Sequence, residues 1–219
     1  MYKKQQALST APRKRLSGEE RRAAILESAL AVFAERGYHA SSIDDIARHG
    51  GVSKALIYEH FDSKQDLYAE LLEHHTEMLF ERLAAAIAGA GPGSVDRLTT
   101  GVDAFYAFVE DHRVAWRLLF RETTDPEAVA LLDRVVAQVT ALVAALIADD
   151  PASKSGAEGA AERRQGIQML AQMLVGSVQS LANWWADNQR VPRRQIVEVT
   201  MDFAWQGLER LARGERWPA

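Results

Sequence analysis

Apolar residues recur every three or four positions along almost the whole chain. Nowhere do β-branched residues alternate with polar ones between turn residues, so the pattern predicts an all-α fold. The first helix is expected over Glu19 to Arg36, with Ile25, Leu26, Ala29, Leu30 and Phe33 on one stripe and Gly37 as a left-handed C-terminal cap. "SIDD" from Ser42 is a capping pattern that opens a short helix carrying Ile43, Ile46 and Ala47 and ending at "HGG". Ser53 can cap a second short helix through His60, and "SKQD" from Ser63 opens a long helix toward Ala90. "GAGPGS" breaks the pattern, and a helix follows with Val95, Leu98, Val102, Phe105 and Val109 on one face. A shorter segment, "RVAWRLLFRE", precedes a helix from Pro126 to about residue 148, a polar loop "DDPASKSGAEG", and two last helices over about 160–187 and 193–213. The total is about nine helices.

Two short helices joined by a tight turn describe a helix-turn-helix, in which the N-terminal residues of the second helix enter the major groove of DNA. The close crossing needs a small side chain, Ala47, and the turn needs a residue that tolerates positive φ, Gly51. Ile46, Val52 and Ile57 then fall where apolar groups close the unit. Ser53, Lys54, Ala55, Tyr58 and Glu59 are left to face outward. The hydroxyls of Ser42, Ser53 and Tyr58, the His60 imidazole and the Lys64 ammonium are the groups that position a protein on phosphates. Base reading falls to Lys54 at guanine acceptors and to Ala55 or Leu56 at a thymine methyl.

Composition refines this picture. At 219 residues and 47% apolar the chain can bury a real core, and without cysteine it has neither disulfides nor thiolate metal sites. The longest apolar run, "ALVAALIA", is too short to cross a bilayer, and the N-terminus lacks the apolar stretch of a secretory signal, so a soluble, cytoplasmic protein with no membrane partner is expected. The net charge of −4 argues against a nucleic-acid partner until it is divided: residues 1–64 hold 11 basic and 8 acidic groups, residues 65–219 hold 15 and 22. Residues 1–18 read as a flexible basic arm, 19–65 as the helix-turn-helix domain, and 66–219 as a separate domain.

The stretch "ILESALAVFAERGYHASSIDDIARHGGVSKALIYEHFDSKQDLYAELL" resembles the N-terminal DNA-binding domain of TetR-family transcriptional repressors. The likeness lies in Phe33, Gly37 and Tyr38 at the helix ending, the Ile46–Ala47 pair, the Gly51–Val52–Ser53 turn, and Tyr58, His60 and Phe61 followed by Lys64 and Leu67. One departure is Ser42, where the family often has threonine; it keeps the hydroxyl and the cap. The resemblance implies a nine-helix plan, an effector cavity within helices four to eight, and a dimer made by the last two helices. It implies a repressor of a palindromic double-stranded operator, released when a small, hydrophobic effector shifts the fourth helix.

The residues beyond the motif fit that plan. Helix-turn-helix dimers place two recognition helices roughly 34 Å apart, so a homodimer is expected on DNA geometry. Gly176, Ser180 and Gly207 are small enough for close helix approach, and Trp184 and Phe203 are apolar partners for it, which predicts the dimer interface. Phe105, Phe108, Val109, Trp116 and Phe120, with Gln172 and Met173 from a later helix, are the expected ligand-binding residues. The acidic second domain favours a cationic or neutral effector. His74, His75 and His112 with nearby glutamates raise the question of a metal, but helix neighbours point about 100° apart, so neither metal nor cofactor is expected. No nucleophile motif is present and no catalytic residue is assigned. The alternative is a constitutive or partner-controlled helix-turn-helix factor without an effector.

Overall fold

The structure, a computed structural model, describes residues 17–121, 126–149 and 160–212, with side-chain surroundings left out at 127 and 205–212. The basic arm through residue 16, the polar loop over 150–159 and the surroundings of Gly207 lie outside the described residues. Nine α-helices are present among them, without a strand. The chain divides into two compact units at Lys64.

In the first unit, each helix start is set by a serine. Ser17 accepts the backbone N–H of Glu20 while Glu20 accepts that of Ser17, and α1 (Gly18–Arg36) begins there. Ser42 and Asp45 make the same reciprocal pair at the start of α2 (Ile43–Gly50). Ser53 accepts the N–H of Leu56 and starts α3 (Lys54–Tyr58), which is shorter than the sequence pattern suggests because Glu59 and His60 turn away from it. Ile25, Ala29 and Phe33 from α1 are buried, as are Ile43, Ile46 and Ala47 from α2 and Ile57 and Phe61 at α3. Leu30, expected on the same stripe, is only half-buried.

Two glycines carry backbone that other residues resist. Gly51 sits at φ 63, ψ 31, in the left-handed region, and Val52 returns its N–H to Ala47. Gly37 does end α1, donating to the Phe33 carbonyl at 2.8 Å, but at φ 78, ψ 157 it is not the left-handed cap expected from sequence. It occupies a region open essentially to glycine alone, because the chain must reverse toward the buried Ser41 rather than curl once more. Gly50 is needed for a different reason: a Cβ there would lie 2.8 Å from the Ser28 hydroxyl of α1.

The second unit holds α4 (Lys64–Ala88), α5 (Ser94–Asp111), α6 (Arg113–Ala115) running into a π-helical segment Trp116–Arg121, α7 (Pro126–Asp149), α8 (Ala160–Asp187) and α9 (Arg193–Ala212). α7 packs along α8, and α5 packs against α7, α8 and α9. α5, α8 and α9 are tied by a buried cluster. Trp185 meets Tyr106 edge-on at 5.8 Å, the Tyr106 hydroxyl pairs with Thr200 Oγ1 at 2.9 Å, and the Trp185 indole donates to the Val191 carbonyl. Burial pushes the Tyr106 phenol up to about 12, so the hydroxyl keeps its proton. Arg193 adds ion pairs from α9 to Asp103 and Glu110 of α5. Tyr68 of α4 donates to the Leu118 carbonyl, giving the π-helical backbone a buried partner. α7 is long and apolar enough by composition to cross a bilayer, yet it lies against α5 and α8.

The two positive-φ glycines give the first prediction. Gly51→Asn should cost under about 1 kcal/mol, since asparagine enters the left-handed region, while Gly37→Asn should cost roughly 1–3 kcal/mol. Urea unfolding followed by circular dichroism checks it; equal losses would show that backbone strain does not separate the two sites.

Candidate nucleic-acid interface and internal cavity

A five-residue helix cannot stand alone, so α3 is held from outside. Its C-terminal end is anchored by Arg22 of α1, which donates to the His60 carbonyl at 2.8 Å and stacks over the Phe61 ring at 4.5 Å. The α2 end is fixed by Asp45, whose carboxylate accepts from Ser42, from Arg36 of α1 and from Arg48. The hydrogen bond from Ser42, then the two arginines, hold that carboxyl below the usual carboxylate range. Sequence reasoning missed Arg22 and Arg36, because nothing in the local pattern joins them to groups 38 and 9 positions away.

The predicted DNA-contacting residues divide into three kinds. Ala55 and Tyr58 are exposed on α3, Tyr58 at 48%, and Leu56 is half-buried beside them. Lys54 is also exposed, with its ammonium 3.0 Å from Asp44, and that hydrogen bond raises its pKa, so it carries full charge. The pair is exposed and solvent-screened, so little holds Lys54 to Asp44. Ser42 and Ser53 are committed to their caps, and His60 presents its carbonyl to Arg22. Lys64 is the residue whose role changes most. Its ammonium donates to the carbonyls of Tyr38 and Ser41 at 2.8 and 3.0 Å and lies over the Tyr38 ring, leaving one N–H for any other partner. It braces the turn after α1.

The second unit encloses a cavity of about 100 Å³ between α4, α5, α7, α8 and the π-helical segment. Three predicted ligand residues line it: Phe105, Trp116 and Phe120, the last two stacked at 5.1 Å and 12°. The π-helical turn is what lets residues four apart stack so closely. Phe108 and Val109 are buried but off the wall, on the next face of α5. Gln172 and Met173 do not reach the cavity. α8 turns Ala171, Leu174 and Val178 inward, so Met173 points the opposite way, 64% exposed, and Gln172 points sideways into solvent. Among the described residues, the single amide on the wall is Gln179 and the single charge is Arg97, neither of which sequence reasoning selected. The remaining lining is mostly leucine and valine.

The outward face of α8 is apolar for most of its length: Met169, Met173, Gly176, Ser180 and Trp184 recur at three- and four-residue steps, all exposed. On α9, Val199 and Phe203 are exposed one turn apart and share a groove with Ser180 and Trp184. Thus four of the five residues expected at a dimer interface fall on one surface, which also takes the methionine assigned by sequence to the pocket. His75 is buried, with Nδ1 2.8 Å from the Leu71 carbonyl, and meets His74 and His112 edge-on. Burial lowers its pKa, and no group of three or more metal-ligating side chains is arranged around an ion among the described residues.

Comparison with known proteins adds the following. The family model described as "Bacterial regulatory proteins, tetR family" matches residues 25–71, and one described as "Tetracyclin repressor-like, C-terminal domain" matches residues 95–207. The chain is 36% identical over 197 residues to the HTH-type transcriptional activator FasR of Mycolicibacterium smegmatis, covering 89% of this chain and 85% of that protein. It is 35% identical over 100 residues to the HTH-type transcriptional repressor KstR2 of Mycobacterium tuberculosis, covering 45% of this chain and 50% of that one. The crystal structure of a TetR-like transcriptional regulator from Rhodococcus sp. RHA1 superposes with a TM-score of 0.74 at 26% identity, over 89% of this chain and 99% of that one.

The contrast between the two lysines is testable. Lys64→Ala removes two charge-assisted hydrogen bonds and should destabilise the first unit by about 1–3 kcal/mol while weakening DNA binding on every sequence alike. Lys54→Ala should change stability by less than about 0.5 kcal/mol and relax base preference. Unfolding curves and gel shifts on operator and scrambled DNA separate the two. An unchanged stability in Lys64→Ala would remove the bracing role.

Proposed function

This chain belongs to the tetR family of bacterial regulatory proteins, and from that premise we propose a ligand-responsive regulator that binds a palindromic operator as a homodimer. It is a DNA-binding transcription regulator and not an enzyme. The observation that carries the operator reading is α3: a five-residue helix braced by Arg22 and a left-handed turn, with Lys54, Ala55 and Tyr58 facing outward. Braced this way, α3 enters the major groove, Lys54 and Tyr58 reach phosphate or base edges, and Ala55 and Leu56 meet thymine methyls. Its place of action is the cytoplasm, with the chromosome.

Phosphate attraction comes mainly from ahead of the folded unit. Residues 17–64 carry 6 basic and 8 acidic groups, so the positive balance of the first unit comes from the five lysines and arginines of residues 1–16. Dimerisation is supported by the exposed apolar face of α8 and α9, which a second copy would bury by placing like helices together about a two-fold axis. The cavity supports ligand control, and a constitutive factor has no use for it. An effector acts by binding better to the conformer whose recognition helices no longer match the grooves. The sign of control follows the operator's position: one that overlaps a promoter gives the repressor reading and one placed upstream gives activation, and the relatives include both a named repressor, KstR2, and a named activator, FasR.

Two measurements test this. A gel shift on the DNA upstream of the protein's own coding region should show a discrete complex, and removing residues 1–16 should reduce the salt slope of log K by up to about four while keeping the same preferred sequence. No sequence preference in the intact chain would overturn the operator reading. Phe203→Arg, at a side chain 65% exposed, should yield a folded monomer by light scattering and weaken operator binding by at least about tenfold; a stable dimer would move the interface elsewhere.

A further inference from the structure

The cavity wall is apolar except for Gln179 and Arg97. Arg97, near the start of α5, is its only charged lining residue among the described residues, and it is partly open to solvent: its side chain is 27% exposed and that of its partner Asp149, at the end of α7, is 60% exposed. The pairing uses one donor, Nη2 to Asp149 Oδ2 at 2.8 Å. Nε of the same guanidinium is buried and has no hydrogen-bond partner among the described residues. Nε–H and Nη2–H lie on one edge of the planar group, the edge that takes a carboxylate through two parallel hydrogen bonds. That fork is half-filled, and its empty donor is buried in a residue that lines the cavity; a buried, unpaired N–H is costly.

We propose that the cavity takes an amphipathic carboxylate, with the head group completing the Arg97 fork in place of Asp149 and the apolar body lying between α4, α5, α7 and α8. This rests on the effector reading above and gives that effector a charge. An exposed partner such as Asp149 is cheap to displace, since the pair it makes with Arg97 is partly solvated. The rest of the wall sorts ligands by shape: Leu79, Leu83, Val102, Val139 and Leu146 offer no donor or acceptor, so the body must be hydrocarbon. Gly101 widens the space beside Ile87, where an added Cβ would be in ordinary contact at 3.6 Å. The charge assignment reverses the expectation drawn from the acidity of residues 65–219 as a whole, because those acidic groups are not on the wall.

The test is calorimetric titration of the full-length protein with dodecanoate, methyl dodecanoate and dodecylamine, which share a tail and differ in head charge. Octanoate and hexadecanoate serve as length controls. Dodecanoate should bind about tenfold more tightly than the ester, and the amine more weakly than either. In Arg97→Gln the advantage of dodecanoate over the ester should vanish while the ester's own affinity holds. The unfolding temperature of Arg97→Gln shows that the variant is folded. Equal binding of the three heads, or an anion preference that survives Arg97→Gln, would overturn the carboxylate assignment while leaving the cavity as a binding site. Failure of every probe, ester included, to bind a folded, DNA-competent protein would overturn the effector reading itself.

Discussion

The DNA-facing unit depends on a constraint of length. α3 has five residues, too few to hold its own hydrogen bonds, so its position is whatever its surroundings impose. Those surroundings are few and specific: the Ser53 cap at one end, the Arg22 guanidinium on the His60 carbonyl at the other, Ile57 buried beneath, and the Gly51 turn that sets its angle to α2. α2 is fixed in turn by the Asp45 carboxylate, shared between Ser42, Arg36 and Arg48, and by the absence of a side chain at Gly50 where Ser28 of α1 comes close. Tyr58 and Lys54, carried on that helix, take their positions from the same few contacts.

Several of the polar groups near α3 also serve the fold. The serine hydroxyls cap helices, the His60 carbonyl holds Arg22, and Lys64 spends two donors on backbone carbonyls. Only side chains with weak or no commitments face outward, and the Lys54–Asp44 pair is one that solvent already loosens. Residues 17–64 carry 6 basic against 8 acidic groups, whereas residues 1–16 carry five basic and no acidic ones.

The second unit is organised by the opposite economy, apolar surface left without a partner. Trp185 and Tyr106 lock α8 to α5 and α9, and the adjacent Trp184, a hundred degrees around the helix, is left in solvent with Phe203 and the methionines of α8. Inside, the π-helical turn stacks Trp116 on Phe120 and leaves a space that leucines and valines line without filling. An exposed apolar outer face and an unfilled apolar inner space are both costs to the lone chain.

Much was legible from the residues alone, because capping serines, breaking glycines and three-to-four spacing act within a turn or two of chain. The nine helices, the helix-turn-helix and the outward face of α8 at Gly176, Ser180 and Trp184 come from such local rules. The same rules could not say that Gly37 would take a backbone angle closed to other residues, that Lys64 would turn inward to Tyr38 and Ser41, or that Met173 would face away from the cavity. Nor could they choose Arg97 over the other basic residues of the second unit. Those outcomes depend on which groups distant in sequence arrive at the same place, and only the packed chain decides that: a charge is made a site by the apolar wall around it, and an empty donor by the partner that fails to reach it.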